Sequence, residues 1–243
     1  MNASTTVSAR IAALDLARSA ALLGMAVYHF SYDLQMFGYL APGTVTSGGW
    51  GVFARLVAGS FIAIAGISLV LAHRGGLRPG AYLRRLAVIG AAAALVSLAT
   101  FFAFPGNFIF FGILHSIFVS SVIGVLFLHA PWLLTAGAGV AVLVLPRFLQ
   151  IPALDDGPFQ WLGLSGHRPS LDFEPVFPWA GPFLLGMAAA QLAGLRGWLD
   201  RPRRAPGTVV RRLAWPGRHS LAVYLLHQPV LVSVVALARW LGG

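Results

Sequence analysis

The chain has 243 residues, of which 58% are hydrophobic and only 10% are charged, whereas about 25% of the residues of a typical soluble domain are charged. This composition indicates an integral membrane protein, and the length suits a single bundle, residues 1–243, rather than two domains. The sequence contains neither cysteine nor lysine, which excludes disulfides, thiolate catalysis and Schiff-base chemistry, a retinal pigment included.

Seven apolar segments follow one another along the chain, and each is long enough, or nearly long enough, to cross a bilayer as a helix. The fold class predicted from them is an all-α membrane protein, a single bundle of about seven transmembrane helices. The predicted spans are residues 14–37, 50–72, 83–104, 108–128, 131–149, 178–195 and 219–241.

Arginine is distributed unevenly between the two sides of such a bundle. With the N-terminus in the cytoplasm, twelve arginines fall on the inner side and three on the outer side, which is typical of inner loops that face anionic lipid. This orientation makes residues 1–10 a cytoplasmic tail, 150–177 an outer loop and 196–218 a basic cytoplasmic loop, and it places the C-terminus outside. The net charge of +10 therefore predicts membrane lipid rather than nucleic acid as a partner, in a multi-pass protein of a bacterial inner (cytoplasmic) membrane.

The first span carries four ionisable residues on one face. Asp15, Arg18, His29 and Asp33 fall within a sector of roughly 60° at about 100° per helical residue, and His29 and Asp33 are spaced i, i+4. Charged side chains at membrane depth are costly and usually functional. The stripe predicts a site inside the bundle, and the alternative is a structural network of ion pairs that locks the helices together.

Polar residues of other spans are expected at a similar depth. In the predicted orientation Arg55, His115 and Trp179 lie in the outer half of the membrane, as His29 and Asp33 do. We therefore expect one pocket that is open to the outside, although the sequence does not say which helices are adjacent.

The last span repeats the pattern of polar residues on one helical face. Ser220, Tyr224 and His227 are spaced i, i+4 and i+7, and His227 is predicted near the middle of the membrane. His29 and Asp33 supply only two ligands of the three that a catalytic zinc site usually has, so no metal is predicted.

Three stretches stand out in their order along the chain: RIAALDLARSAALLGMAVYHFSYDL, PVFPWAGPFLLGMAAAQL and WPGRHSLAVYLLHQPVL. Together they resemble the heparan-α-glucosaminide N-acetyltransferase-like family, a branch of the transmembrane acyltransferases. A fourth stretch, GILHSI, is similar to the family's Gly-Val-Leu-Gln-Arg segment and has His115 at the glutamine position. The chain is shorter than the lysosomal enzyme, and its segment GYLAPGTVTSGGW has no histidine where that enzyme's proposed histidine lies.

The resemblance implies transfer of an acetyl group from cytoplasmic acetyl-CoA to a glycan amine or hydroxyl, or to another small molecule, on the outer face. His29 would be the general base or the acyl carrier, and Asp33 would orient its ring. The predicted catalytic residues are His29, Asp33, His115 and His227; the alternative for His115 is a hydrogen bond to the backbone of a neighbouring helix. The residues predicted to position substrate or structure are Asp15, Arg18, Arg55, Trp179, Ser220 and Tyr224. The residues predicted to bind the phosphates of coenzyme A are Arg74, Arg78, Arg84, Arg85 and Arg218, although the inner-side bias of arginine explains the first four equally well.

Two other functional classes remain open from the residues alone. One is a proton-coupled transporter of small molecules that uses His29 and Asp33 as a proton relay, although the sequence lacks the internal repeats of many transporters. The other is a structural partner subunit. The acceptor, the acyl group, an acyl-histidine intermediate and homo-oligomer formation are also left open by the sequence.

Overall fold

The chain is almost entirely helical in the part that the structure, a computed structural model, describes. That part contains no β-strand and comprises residues 11–154, 158–165, 170, 172–200 and 205–242. The helices are α1 (Ala12–Met36), α2 (Gly48–Ala72), α3 (Pro79–Ala103), α4 (Ile113–Gly124), α5 (Trp132–Val144), α6 (Val176–Leu195), α7 (Thr208–Leu213), α8 (Trp215–Arg218) and α9 (Ser220–Gly242).

The predicted all-helical membrane architecture is confirmed. Four of the described helices are long and apolar enough to cross a membrane, namely α2, α3, α6 and α9, whereas α4 and α5 are shorter. Helix α1 has 25 residues but carries the polar stripe, which lowers its hydropathy. Each of the seven predicted segments contains one of these helices. The number of spans and the sides on which the termini lie stay predictions.

The helix boundaries differ from the predicted spans for local reasons. Helix α3 begins at Pro79, four residues before the expected start, because proline is well suited to a first helical position. Helix α4 begins at Ile113 rather than at residue 108, since residues 108–112 pair with a later segment. The expected basic loop 196–218 contains two short helices, α7 and α8, within its described residues.

The chain divides into two compact units, which we describe separately. Unit 1 comprises residues 1–57 and 200–243, and in it α8 and α9 pack along α1. Gly217 of α8 touches the backbone of α1, since a Cβ atom there would overlap the Asp15 carbonyl oxygen. The Gly217 N–H also donates to Ser19 Oγ at 2.9 Å. This contact holds the start of α9 against the start of α1.

Unit 2 comprises residues 58–199, and α6 is its central helix, packed against α4 and α5. Two glycines bring α6 and α2 into backbone contact: a Cβ at Gly66 would overlap the Phe183 carbonyl oxygen, and a Cβ at Gly186 would overlap that of Ala63. Close backbone approach at small residues is the usual packing mode of helices in membranes. Glycines 66 and 186 are therefore packing residues of this unit.

The described part of segment 150–177 folds back on the start of α4. Phe173 pairs with Phe111 in a short parallel bridge, and the Glu174 N–H donates to the Phe111 carbonyl at 3.1 Å. The Phe173 ring stacks on Phe110 at 5.2 Å. The expected outer loop is thus anchored between α4 and α6 by backbone pairing and aromatic contact.

Large apolar side chains cover the outward faces of both units. On α9, Leu226 is 63% exposed and Trp240 is 78% exposed, and α3 presents Phe102 in the same way. Exposed apolar surface of this extent is expected where a helix faces lipid. This surface supports the predicted contact with membrane lipid.

Candidate active site

A polar cluster lies between α1 and α9 in unit 1. Helix α1 contributes His29 and Asp33, which are one turn apart and therefore face the same direction. Helix α9 contributes two consecutive residues, His227 and Gln228. The predicted histidines of the first and last spans are thus brought together, with their ring centroids 5.0 Å apart and nearly perpendicular.

Asp33 is completely buried, and its partner is not the expected one. The Asp33 side chain is 0% exposed, and Gln228 Nε2 donates to its Oδ1 at 2.8 Å. Its other carboxyl oxygen, Oδ2, has no hydrogen-bond partner among the described residues. The sequence-based prediction paired Asp33 with His29, but the structure pairs it with a residue of the opposite helix.

Gln228 is the residue of this cluster that sequence reasoning missed. A signal was present: Ser220, Tyr224 and Gln228 are spaced i, i+4 and i+8, so Gln228 continues the polar face of the last span. Glutamine is uncharged, so a search for charged residues in membrane helices does not find it, although its side chain supplies both a hydrogen-bond donor and an acceptor.

The tautomer of His227 follows from its contact with the backbone. His227 Nδ1 lies against the Tyr224 carbonyl oxygen, and a carbonyl only accepts, so Nδ1 carries the proton in the neutral ring. Nε2 then holds a lone pair, is buried and has no partner in the described part of the chain. His227 therefore offers a proton acceptor inside the cluster.

Three buried acceptor atoms of the cluster lack a donor. They are Asp33 Oδ2, Gln228 Oε1 and His227 Nε2, none of which has a partner among the described residues. Buried acceptors without a partner cost free energy, about 1–3 kcal/mol for each group. Since all three atoms accept, a ligand that bound to them would have to offer hydrogen-bond donors, as an amine, a hydroxyl or water does.

The four ionisable residues predicted to share one face of α1 fall into two groups at different places along the helix. Near the start of the helix, Arg18 NH1 donates to Asp15 Oδ1 at 2.8 Å, and Asp15 is only 2% exposed. This ion pair lies beside the contact between Ser19 and Gly217. Asp15 and Arg18 thus lie near the contact between α1 and α8, while His29 and Asp33 face α9.

The remaining predicted residues of unit 1 have local partners. Tyr224 contacts the His227 ring, with centroids 5.6 Å apart, and Ser220 is the first residue of α9. Arg55 is exposed, and its Nε donates to the Gly51 carbonyl one turn earlier at 2.9 Å. Arg218 NH2 donates to the Arg211 carbonyl at 2.7 Å, and its Nε has no partner within the described residues.

His115 lies in unit 2, where both of its ring nitrogens have partners. The Gly112 N–H donates to Nδ1 at 3.2 Å, so the ring proton is on Nε2, which faces Ser97 Oγ at 3.2 Å. The Ser97 hydroxyl in turn donates to the Ile109 carbonyl at 2.6 Å. His115 thereby joins the start of α4 to α3, and its predicted catalytic role would require breaking one of these bonds. Trp179, which was also predicted to lie in the outer half of the membrane, is half-buried in the first turn of α6.

The predicted arginines of the α2–α3 turn also lie in unit 2, and two of them bond to backbone. Arg78 NH2 donates to the Ala72 carbonyl at 2.7 Å, and Arg85 NH2 donates to that of Ala65 at 3.1 Å. Burial, together with the charges of Arg78 and Arg85, lowers the pKa of His73. Arg74 and Arg84 are exposed.

A second polar group that the sequence did not single out is the pair Asp172 and Glu174. The Ile113 N–H donates to Asp172 Oδ2 at 3.4 Å, and burial raises the pKa of Asp172 to about 6. Burial and the neighbouring Asp172 raise the pKa of Glu174 well above its usual value. Among the described residues, no group of three or more His, Asp or Glu side chains is arranged to hold a metal ion.

Comparison with known proteins gives a family but no individual relative. Residues 10–229 match the family described as Heparan-alpha-glucosaminide N-acetyltransferase, catalytic. The matched range covers nearly the whole chain and includes the four residues of the cluster, His29, Asp33, His227 and Gln228. Neither a curated protein nor a solved structure matches the chain.

Proposed function

We propose that this chain, which belongs to the heparan-alpha-glucosaminide N-acetyltransferase catalytic family, transfers an acetyl group from acetyl-CoA to an amine-bearing acceptor within the membrane. The acceptor is a glycan or small molecule that reaches the cluster from the outer face. The observation that carries the proposal is the set of three unpartnered acceptor atoms beside two imidazole rings on α1 and α9.

An amine suits these three atoms better than a hydroxyl does. A protonated amine has up to three N–H donors and a positive charge, whereas a hydroxyl has one donor. Asp33 Oδ2, Gln228 Oε1 and His227 Nε2 would each receive one N–H, and the Asp33 carboxyl would offset the charge of the amine. Binding of an amine would therefore satisfy every buried acceptor that the cluster leaves open.

The bound ammonium group must lose two protons and attack the thioester. Release of the first proton to solvent leaves a neutral amine, and a C–N bond then forms at the acetyl carbonyl carbon while the C–S bond breaks. The second proton is taken by a base and passed to the departing thiolate, so that coenzyme A leaves as a thiol. We assign to His227 Nε2 the role of base, because its lone pair is fixed by the bond between Nδ1 and the Tyr224 carbonyl. His29, which was predicted from the sequence as the base, would stabilise the imidazolium together with Asp33.

The donor side is assigned to the arginines. Arg218, in the short helix that packs on α1, has a buried Nε–H without a partner in the described residues, and phosphate oxygens are the acceptors that guanidinium groups favour. Arg74, Arg78, Arg84 and Arg85 are the other predicted phosphate ligands. The uneven arginine distribution supports a cytoplasmic donor side in a bacterial inner membrane.

The test is acetyl transfer by the purified protein in lipid nanodiscs with labelled acetyl-CoA. Glucosamine and glucose, which differ by one amine in place of one hydroxyl, serve as the matched pair of acceptors. We expect transfer to the amine and little to the hydroxyl, and we expect coenzyme A binding to weaken with added salt. Lack of both coenzyme A binding and transfer would contradict the proposal.

The competing function is proton-coupled transport, which the contact between the His29 and His227 rings favours because two adjacent imidazoles can pass a proton. Proton uptake linked to solute entry in sealed vesicles, in the absence of acetyl-CoA, would support transport. Transfer of label from acetyl-CoA to the amino sugar would support the acetyltransferase.

A further inference from the structure

We propose that Gln228 is a positioning residue of the site, one that holds the Asp33 carboxyl from the opposite helix and requires a neutral side chain to do so. This inference rests on the proposed acetyl transfer. It assigns to Gln228 a role in setting the geometry of Asp33, without direct participation in bond making.

The orientation of the Gln228 carboxamide follows from the chemistry of its partner. An ionised carboxylate only accepts, so the NH₂ end of the carboxamide faces Asp33 Oδ1. The carbonyl end, Oε1, then points elsewhere and lacks a partner in the described part of the chain. Gln228 thus orients one carboxyl oxygen of Asp33 and leaves the other, Oδ2, free for the ligand.

The titratable groups around the carboxamide come from both helices. His29 and Asp33 both face it from α1, and Asp33 accepts from its Nε2. His227 precedes it on α9, and Tyr224 lies one turn earlier. Among the described residues, no other side chain of this cluster donates to the Asp33 carboxyl, which is fully buried. Without Gln228, the carboxyl would have no described partner and would be free to rotate.

The nearly isosteric change Gln228→Glu distinguishes positioning from packing. At low pH the carboxylic acid of the variant can donate to Asp33 as the amide does. At high pH two buried carboxylates would face each other, and like charges in one site cannot both ionise readily. We expect kcat to fall about 10- to 100-fold at pH 8, with KM for acetyl-CoA within about twofold of that of the wild type. The ratio of variant to wild-type kcat should then rise at least about tenfold from pH 8 to pH 6.

Gln191 offers a matched control in unit 2. Its Nε2 donates to the Phe127 carbonyl at 2.7 Å, and its Oε1 also lacks a partner among the described residues. Gln191→Glu introduces the same charge into a similar buried setting, so it should lower the melting temperature without a pH-dependent change in kcat per folded molecule. Gln228→Met, which keeps the length of the side chain but has no N–H, should lower kcat at every pH without recovery in acid.

The bond itself is tested without reference to catalysis. Melting temperatures of Asp33→Ala, Gln228→Met and the double variant form a thermodynamic cycle in which each single variant removes the bond, and we expect the two losses not to add. Additive losses would overturn the inference, as would a pH-independent kcat ratio for Gln228→Glu. Wild-type protein that transfers no acetyl group at any pH would overturn the proposed function and this inference together. Normal wild-type transfer with an unaffected Gln228→Glu variant would overturn the inference alone.

Discussion

The two units bury histidines in opposite ways. In unit 2 both ring nitrogens of His115 have partners, and the ring joins α3 to α4. In unit 1 His227 uses one nitrogen to fix its tautomer and leaves the other buried without a described partner. A histidine whose two ring nitrogens are both bonded within the fold joins helices, whereas one with an open lone pair can still accept from a ligand or from water. Two histidines within apolar segments therefore differ in what they can do, and the difference lies in their hydrogen bonds rather than in their depth in the membrane.

The largest expected effect comes from replacing each of these two histidines by alanine. His227→Ala should lower acetyl transfer about 100- to 10,000-fold with a small change in melting temperature. His115→Ala should instead lower the free energy of unfolding by about 1–3 kcal/mol, because its hydrogen bonds to the Gly112 N–H and to the Ser97 hydroxyl are lost. Specific activity per folded molecule and melting temperature, measured on the same preparations, check both. Equal activity losses in the two variants would contradict the distinction.

The next effect concerns the acidic pair of unit 2. Because burial raises the pKa of Asp172 from 3.8 to about 6, the folded state binds a proton that the unfolded state has released between these values. The contribution of Asp172 to stability should therefore fall as pH rises from about 4 to about 6, by about 2–3 kcal/mol. Asp172→Asn, which can still accept from the Ile113 N–H, should abolish this decline and raise stability at pH 7–8.

Glu174 shifts in the same direction, so the decline in the wild type should continue above pH 6. Melting curves at a series of pH values, for the wild type and for Asp172→Asn, provide the measurement. A variant that is no more stable than the wild type at pH 8 would show that the Asp172 carboxylate is stabilising, contrary to its raised pKa.

A smaller effect tests the backbone contact of unit 1. Gly217→Ala places a methyl group against the Asp15 carbonyl and should lower the free energy of unfolding by about 1–3 kcal/mol. Gly137→Ala in α5 of unit 2, where a Cβ atom would meet nothing within 4 Å, should stabilise the protein by about 0.5–1 kcal/mol because alanine favours helix. Similar melting temperatures for the two variants would disprove the close approach.

The smallest effect concerns the hydrogen bond at the same contact. Ser19→Ala removes the acceptor of the Gly217 N–H and should lower the free energy of unfolding by about 1 kcal/mol. Acetyl transfer per folded molecule should be unchanged, since Ser19 has no place in the proposed chemistry. Chemical denaturation with activity measured in parallel checks this.

The sequence predicted well those features that depend on local patterns. Apolar runs of about 20 residues located the helices, because the hydropathy of a helix depends on neighbouring residues. The short motifs and their order along the chain identified the family, because they can be read without knowledge of which helices are in contact. The helical period also placed His29 and Asp33 on one face of α1.

Pairing between helices depended on the tertiary structure. Nothing in the i, i+4 spacing of His29 and Asp33 indicates that Gln228, 195 residues later, is the partner of Asp33. Likewise, His115 and His227 are both histidines within apolar segments, and the sequence assigned both to catalysis. They differ because both ring nitrogens of His115 are bonded, to Ser97 and Gly112. His227 instead bonds through one nitrogen to the Tyr224 carbonyl. Hydrophobic patterning sets which face of a helix avoids lipid, but helix packing decides which buried polar atoms find partners and which remain for a ligand.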